Sequence, residues 1–322
     1  MKYLSFFLLV IITLVSCEND SKKADEISKI KMDVTVERFD KAFANATVAN
    51  WKALRDEYPF MFSKSYPDSF WESKLQDTLQ QELSAAVIEA FPSNLEGVAS
   101  EITSLFQHLK YYYPEFRAPR VITTTSYVDY RNKVIVTDSL DIIALDTYLG
   151  PEHEFYKGVQ EYIRLGFIPE QIVVDLADAY AKRYMLPVKN KTLLDEMITA
   201  GKRLYFKDIM IPFKTDAEKI GYSPEQLQWA EANESDIWKY FIERELLFSS
   251  DAKLPSRFIN PAPFSKFYLA EIDTESPGRI GQYIGWQIVK AFMDNNKEVS
   301  FKDMLTMSTE DIFNHSKFKP KK

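Results

Sequence analysis

The sequence predicts an α+β fold, mostly helical, in which a small four-strand sheet is followed by a helical bundle. Three observations predict it. Apolar residues recur at helical spacing through most of the chain after residue 165. β-branched residues instead gather in short runs between 121 and 145, with an alternating run at 31–37. Hydrophobic content of 46% and aromatic content of 14% supply a sizeable core, which excludes wholesale disorder.

Taken in order, Lys31 to Glu37 place Met32, Val34 and Val36 on one side, as a half-buried strand does. Arg38-Phe39-Asp40 follows, then a helix through Phe43 and Trp51. Residues 58–71 hold Tyr58, Phe60, Phe62, Tyr66, Phe70 and Trp71 with Pro59 and Pro67. This reads as an aromatic core segment under a loop, with a sugar- or peptide-stacking surface as the competing reading. Leu75, Leu79, Leu83 and Val87 predict one helix over 71–91, and Val98, Ile102, Leu105 and Leu109 a second over 95–112, stopped by Pro114.

The runs 121–125 and 133–136, with Arg131-Asn132 between them, predict a hairpin, and Ile142 to Leu145 predict a third strand closing at Asp146. Helices follow from Pro169, over 193–209, from the Ser223-Pro224 cap and over 235–248. The last long helix is expected at 277–293, with Ser276 as N-cap and Pro277 as first residue. Its Gly278, Gly281 and Gly285 fall on one stripe. A glycine inside a helix costs about 0.5–1 kcal/mol relative to alanine, so the stripe needs a compensating close approach of a backbone or a ligand. With Arg279, Trp286 and Gln287 it is the candidate ligand or partner groove, for a peptide or a glycan; tight helix packing is the alternative. The basic tail 317–322 is expected to fray.

The N-terminus sets the cellular address. Lys2, an apolar run of about twelve residues from Leu4 to Val15, and then Ser16-Cys17-Glu18 form a lipobox pattern; the run is too short to span a bilayer as a mature helix. The expected organisation is a signal peptide at 1–16, a flexible tether at 17–30 lipidated on Cys17 through a thioether and an acylated amine, and one globular domain over 31–322. Acyl chains anchor a protein at about 0.8 kcal/mol per buried CH₂, and stably once more than one is attached. Cys17 is the single cysteine, so it has no disulfide partner. The expected setting is the cell envelope, lipid-anchored, on the outer membrane and facing the periplasm. A net charge of −7 argues against nucleic acid as a partner.

Complete catalytic constellations are not found. His108, His153 and His315 are the three histidines, and His153-Glu154 lacks a second histidine at the fifth position, Lys157, so no metal site or cofactor is expected. Gly-x-Ser-x-Gly and Walker-type loops are absent. Paired carboxylates remain, Asp175 with Asp178 and Asp141 with Asp146; they suit a periplasmic hydrolase of peptidoglycan or peptides, against a plain solvated face.

Several segments carry a family resemblance: Arg38-Phe39-Asp40, Leu193-Leu194-Asp195, Gly201-Lys202, Leu204-Tyr205-Phe206, Gly221-Tyr222-Ser223, Ile237-Trp238, Ala262-Pro263-Phe264, and Ser276-Pro277-Gly278-Arg279-Ile280-Gly281 running on to Gly285-Trp286-Gln287-Ile288-Val289. As a set they resemble the gliding-motility lipoprotein GldB family. The resemblance implies an envelope lipoprotein that serves gliding and the associated type IX secretion by binding other proteins of the motility machinery, without catalytic residues. The order of sheet then helices also resembles zincin-type metallopeptidases. There, two histidines on the helix after the sheet would hold zinc. This chain has Asp175-Leu176-Ala177-Asp178 in that helix, which implies an emptied site and a peptide-binding pseudopeptidase as a further alternative.

Overall fold

A computed structural model describes residues 22–187 and 192–321; Cys17 and the leader at 1–16 lie outside them. Helix takes up 58% of the chain and a small mixed sheet the rest of its regular structure, so the class is the mostly helical α+β one. No described helix is long and apolar enough to cross a membrane.

The chain enters through helix α1 (22–28), where a flexible tether was expected. Its Ile27 is buried, the Gln107 amide donates to the carbonyls of Ser28 (3.3 Å) and Ile30 (2.8 Å), and Lys23 sits over the Tyr112 ring. Strand β1 is only Val36–Glu37, because residues 31–35 find no partner strand. Two short helices replace the single one expected through Phe43 and Trp51: α2 (Phe39–Ala44) and α3 (Trp51–Glu57). Arg38 then explains its place in the motif. Its guanidinium grips Asp40 through Nε (2.9 Å) and a second nitrogen (2.7 Å) and donates to the carbonyls of Phe91 and Ser93, while Thr123 donates to the same carboxylate. One buried pair thus ties three segments together.

The helix expected over 71–91 is broken into α4 (Asp68–Gln76) and α5 (Thr78–Ala90). Asp77 causes the break, since its carboxylate accepts from the Gln80 N–H (2.7 Å) as an N-cap. Helix α6 (Glu96–Tyr112) follows as expected. The aromatic segment before α4 splits between the two readings. Tyr58 and Phe62 join Phe39, Phe43 and Trp51 in a small core, whereas Phe60, Tyr66 and Phe70 are exposed, with Tyr66 stacked on Phe70 at 4.2 Å.

Strands β2 (Arg120–Thr124), β3 (Val134–Val136) and β4 (Leu140–Ala144) complete a sheet of order β1-β2-β4-β3. The expected β2–β3 hairpin is corrected: β2 pairs with β4 in parallel, and the hairpin is β3–β4. Two causes combine. Thr137 turns the chain, its N–H and hydroxyl both donating to the Leu140 carbonyl at 2.9 Å. Upstream, Tyr127 and Val128 take left-handed backbone while the Asp146 carboxylate collects the N–H groups of Ser126 and Val128, turning the connection away from β2.

The helical part contains α7 (Glu161–Arg164), α8 (Ile172–Tyr184), α9 (Leu193–Met210), α10 (Asp216–Ile220), α11 (Pro224–Ala232), α12 (Glu234–Glu243), α13 (Leu254–Phe258), α14 (Ala270–Glu275), α15 (Ile280–Asn295), α16 (Phe301–Thr306) and α17 (Thr309–Ser316). Thr192, Thr215 and Ser223 open α9, α10 and α11 with capping boxes. Helix α15 is the axis: Ile280, Tyr283, Ile284, Trp286, Ile288, Val289 and Phe292 are all buried, at roughly 1.5–3 kcal/mol for a fully buried large side chain. The basic tail does not fray over its described residues. Phe318 packs edge-on against Trp238, and the Lys321 N–H donates to Glu234 at 2.9 Å.

Candidate functional site

The glycine stripe comes first, because it resolves into packing. Gly278 lies outside the helix, since α15 begins at Ile280 rather than Pro277. The helix start is held by a distant residue: the Ser265 hydroxyl donates to the Pro277 carbonyl (2.7 Å) and accepts from the Ile280 N–H (3.1 Å). Ser276 instead exchanges hydrogen bonds with the Ser265 backbone. A methyl group on Gly285 would lie 1.8 Å from the Met197 carbonyl oxygen, one on Gly201 2.2 Å from the Gly285 oxygen, and one on Gly278 2.1 Å from the Ala262 oxygen. At Gly281 the approach is looser, with a side-chain carbon of Ile259 and the Phe258 oxygen both at 2.9 Å. The space beside the three glycines is therefore filled by neighbouring protein: the Ala262 backbone at Gly278, Ile259 and Phe258 at Gly281, and α9 at Gly285.

The other members of that set part company. Trp286 is fully buried; its indole N–H donates to Asp208 (2.7 Å) and Lys290 lies 3.7 Å over its ring. Asp208 also accepts from Lys219, and Asp216 from Lys219 and Lys290, so this is a closed ion-pair network. Gln287 is half-buried on the same helix. Arg279 points elsewhere. Its backbone is left-handed (φ 63°), a costly state for a residue with a Cβ. That turn sends the guanidinium to the Gly221 carbonyl (2.7 Å) and against the Tyr222 ring, whose hydroxyl donates to the Gly278 carbonyl.

There Arg279 feels Asp178 of α8 as an opposite charge and Arg203 of α9 as a like one. Helices α8 and α9 pack together, and their polar seam sets Asp178 opposite Arg203 (3.3 Å) and Lys207 (3.6 Å), with Lys182 at 2.9 Å from the next turn of α8. Lys207 is buried and also donates to the Lys219 carbonyl (3.0 Å). Burial alone would raise the Asp178 carboxyl, but Lys207, Arg203 and Lys182 outweigh it and hold it well below the usual carboxylate range. Asp175, one turn earlier, is paired with Lys133 beside β3 and accepts from the Tyr148 hydroxyl (2.9 Å). The pair Asp141 and Asp146 is different: both are buried, Asp141 in β4 under the Tyr180 hydroxyl (2.8 Å) and Asp146 in the turn after β4, under the loop whose N–H groups it accepts. Burial pushes Asp141 up to about 7.

The cations were not among the residues singled out in the sequence, apart from Arg279. The available signal was Arg203 and Lys207 four apart, in register with Asp178 on the preceding helix. The histidines take structural parts: His108 and His315 bond carbonyls one turn back, and His153 accepts from the Phe155 N–H. Among the described residues no group of three or more His, Cys, Asp or Glu could hold a metal ion.

No curated protein and no solved structure matches the chain, so the zincin likeness rests on the order of elements alone. A family model described as gliding motility protein GldB matches residues 20–320, which takes in α1, the sheet, the α8–α9 seam and the whole helical part. The chain belongs to the gliding motility protein GldB family.

Proposed function

We propose that the protein is a lipid-anchored component of the cell envelope, held through acyl chains on Cys17, that serves gliding motility and the associated type IX secretion by binding rather than by catalysis. Family membership supports the motility role. The binding role is supported by the α8–α9 seam. A two-carboxylate hydrolase needs one acid that carries a proton at working pH and can reach the substrate. Asp178 is held ionised by three cations, and Asp175 is spent on Lys133 and Tyr148. The acid with the right proton affinity, Asp141, is fully buried in the sheet.

A second reading, the peptide-binding pseudopeptidase, draws on β3. It is the outer strand of the sheet and lies against α8, so a peptide adding to it as a further strand would come near Asp175 and Lys133.

Two measurements, one on gliding cells and one on the purified protein, test the proposal. Cys17→Ser should abolish palmitate incorporation and gliding together; a retained label would overturn anchoring through Cys17, and retained gliding with the label lost would overturn the need for the anchor in motility. The purified full chain should turn over neither peptidoglycan nor peptides. Turnover that disappears in Asp175→Asn or Asp178→Asn would make it the hydrolase.

A further inference from the structure

We propose that Arg203, Lys207 and Arg279, with Lys182 at the rim, form a receptor for an oxyanion, a carboxylate or phosphate group presented by a ligand. The inference rests on taking the α8–α9 seam as a binding site. It adds the chemistry that the site recognises.

Charge carries the first part. Five cations surround this seam (Lys133, Lys182, Arg203, Lys207 and Arg279) against two carboxylates, Asp175 and Asp178. The chain as a whole is at −7, so the seam is a local reversal of sign. Burial lowers the proton affinity of the Lys207 ammonium most, and Arg203 and Arg279 add to this as like charges against the opposing Asp178 and Asp175. Like charges held together away from bulk water focus a field that attracts a counter-ion.

Unused donors carry the second part. Arg203 has five N–H donors. Among the described residues one acceptor meets them, Asp178 at 3.3 Å, and the Arg203 Nε is buried with no partner. Arg279 likewise gives one hydrogen bond, to the Gly221 carbonyl, although its strained backbone is what brings it there. A guanidinium fork fits carboxylate and phosphate oxygens two at a time, and here the Arg203 fork meets Asp178 through a single bond while Arg279 feels the same carboxylate only as a nearby opposite charge. Asp178 is the internal stand-in, holding the cations in place. Its carboxylate is about one-fifth exposed and Lys182 about three-fifths, so the seam opens to solvent on the α8 side.

The experiment follows the thermal unfolding midpoint of the full chain, purified in detergent, in sodium phosphate and in sodium acetate against sodium chloride of matched ionic strength. At least one oxyanion should raise the midpoint by about 2–4 °C at a concentration several times its dissociation constant. Acetate alone would assign a carboxylate ligand, and phosphate alone a phosphoryl one. Arg203→Gln should weaken the anion's affinity, read from the concentration dependence of the shift, roughly tenfold, Arg203→Lys less, and Asp178→Asn should tighten it by a similar factor, because the competing carboxylate is gone. Lys182→Gln, on an exposed side chain, guards against a variant that fails to fold and should also weaken the effect. The proposal is overturned if neither oxyanion exceeds chloride, or if the effect is the same in Arg203→Gln, Lys182→Gln and Asp178→Asn, which would mark an adventitious ion only. Turnover of peptidoglycan with the anion effect intact would remove the non-catalytic reading and leave this one standing.

Discussion

Asp178 and Asp141 have the same side chain and opposite fates. Asp178 sits among Lys207, Arg203 and Lys182, so the folded protein binds its proton more weakly than the unfolded chain does. It stabilises the fold above about pH 4, and that contribution is lost as pH falls through the lowered value. Asp141 has burial without a cation in contact. One oxygen takes the Tyr180 hydroxyl and the other has no partner. Its affinity for a proton rises to about 7, so between about pH 4 and 7 unfolding releases a proton and stability falls as pH rises. At pH 8 the buried charge carries a penalty on the order of 4 kcal/mol, from a rise in pKa from 3.8 to about 7 at about 1.4 kcal/mol per pKa unit. Asp141→Asn keeps an acceptor for Tyr180 and removes the charge. Urea unfolding should find the variant more stable than the parent at pH 8 by that amount, with the gap closing towards pH 4. A variant no more stable at pH 8 would mean that the Asp141 carboxylate is compensated.

Helices α9 and α15 meet backbone to backbone, and the position of Arg279 depends on that contact. Gly285→Ala would drive a methyl group into the Met197 carbonyl oxygen, which backbone cannot yield without the helices parting. Calorimetry or urea unfolding should show a loss of about 3 kcal/mol or more, at the upper end of overpacking costs. Gly97→Ala is the control: nothing lies within 4 Å of its added carbon in α6, so it should be neutral or gain about 0.5–1 kcal/mol. A mild Gly285→Ala would return the stripe to the ligand-groove reading. These contacts also show which features one-dimensional patterns carry. The apolar period of α6, α8, α9 and α15 and the Ser223-Pro224 cap depend on neighbours along the chain, and they were readable. The α15 boundary was not, because its cap comes from Ser265, fifteen residues upstream, and Pro277 imitates a first helical residue. Nor was the strand order: Val134-Ile135-Val136 is as β-branched as a central strand, yet it forms the sheet edge and leaves Ile135 half exposed. The cationic seam was missed for the same reason, as α8, α9 and Arg279 meet only in space.

For the molecule as a whole, the docking of α1 changes how the body would stand on a membrane. With residues 22–28 packed on α6, four residues, 18–21, separate Cys17 from the folded body. Fully extended they span at most about 14 Å, at 3.3–3.6 Å per residue, against about 20 Å for a thirteen-residue flexible coil. That reach is not much beyond the ~8 Å Debye length at physiological salt, so an acidic chain anchored at Cys17 (−7 in full, −8 once Lys2 leaves with residues 1–16) would feel an anionic lipid surface, and its exposed faces would be turned by it. Ile27 is what holds the short setting, since it is the buried residue of α1. Burying a side chain of this size contributes roughly 1.5–3 kcal/mol, so removing it should shift the local opening equilibrium about ten- to a hundredfold while leaving the global core intact. In Ile27→Asp, trypsin should therefore cut at Lys29 or Lys31 about ten times faster or more under native conditions, with the thermal midpoint of the body nearly unchanged. Equal cutting rates in the parent and the variant would mean that α1 is already open in solution, and that the body hangs on the longer tether after all.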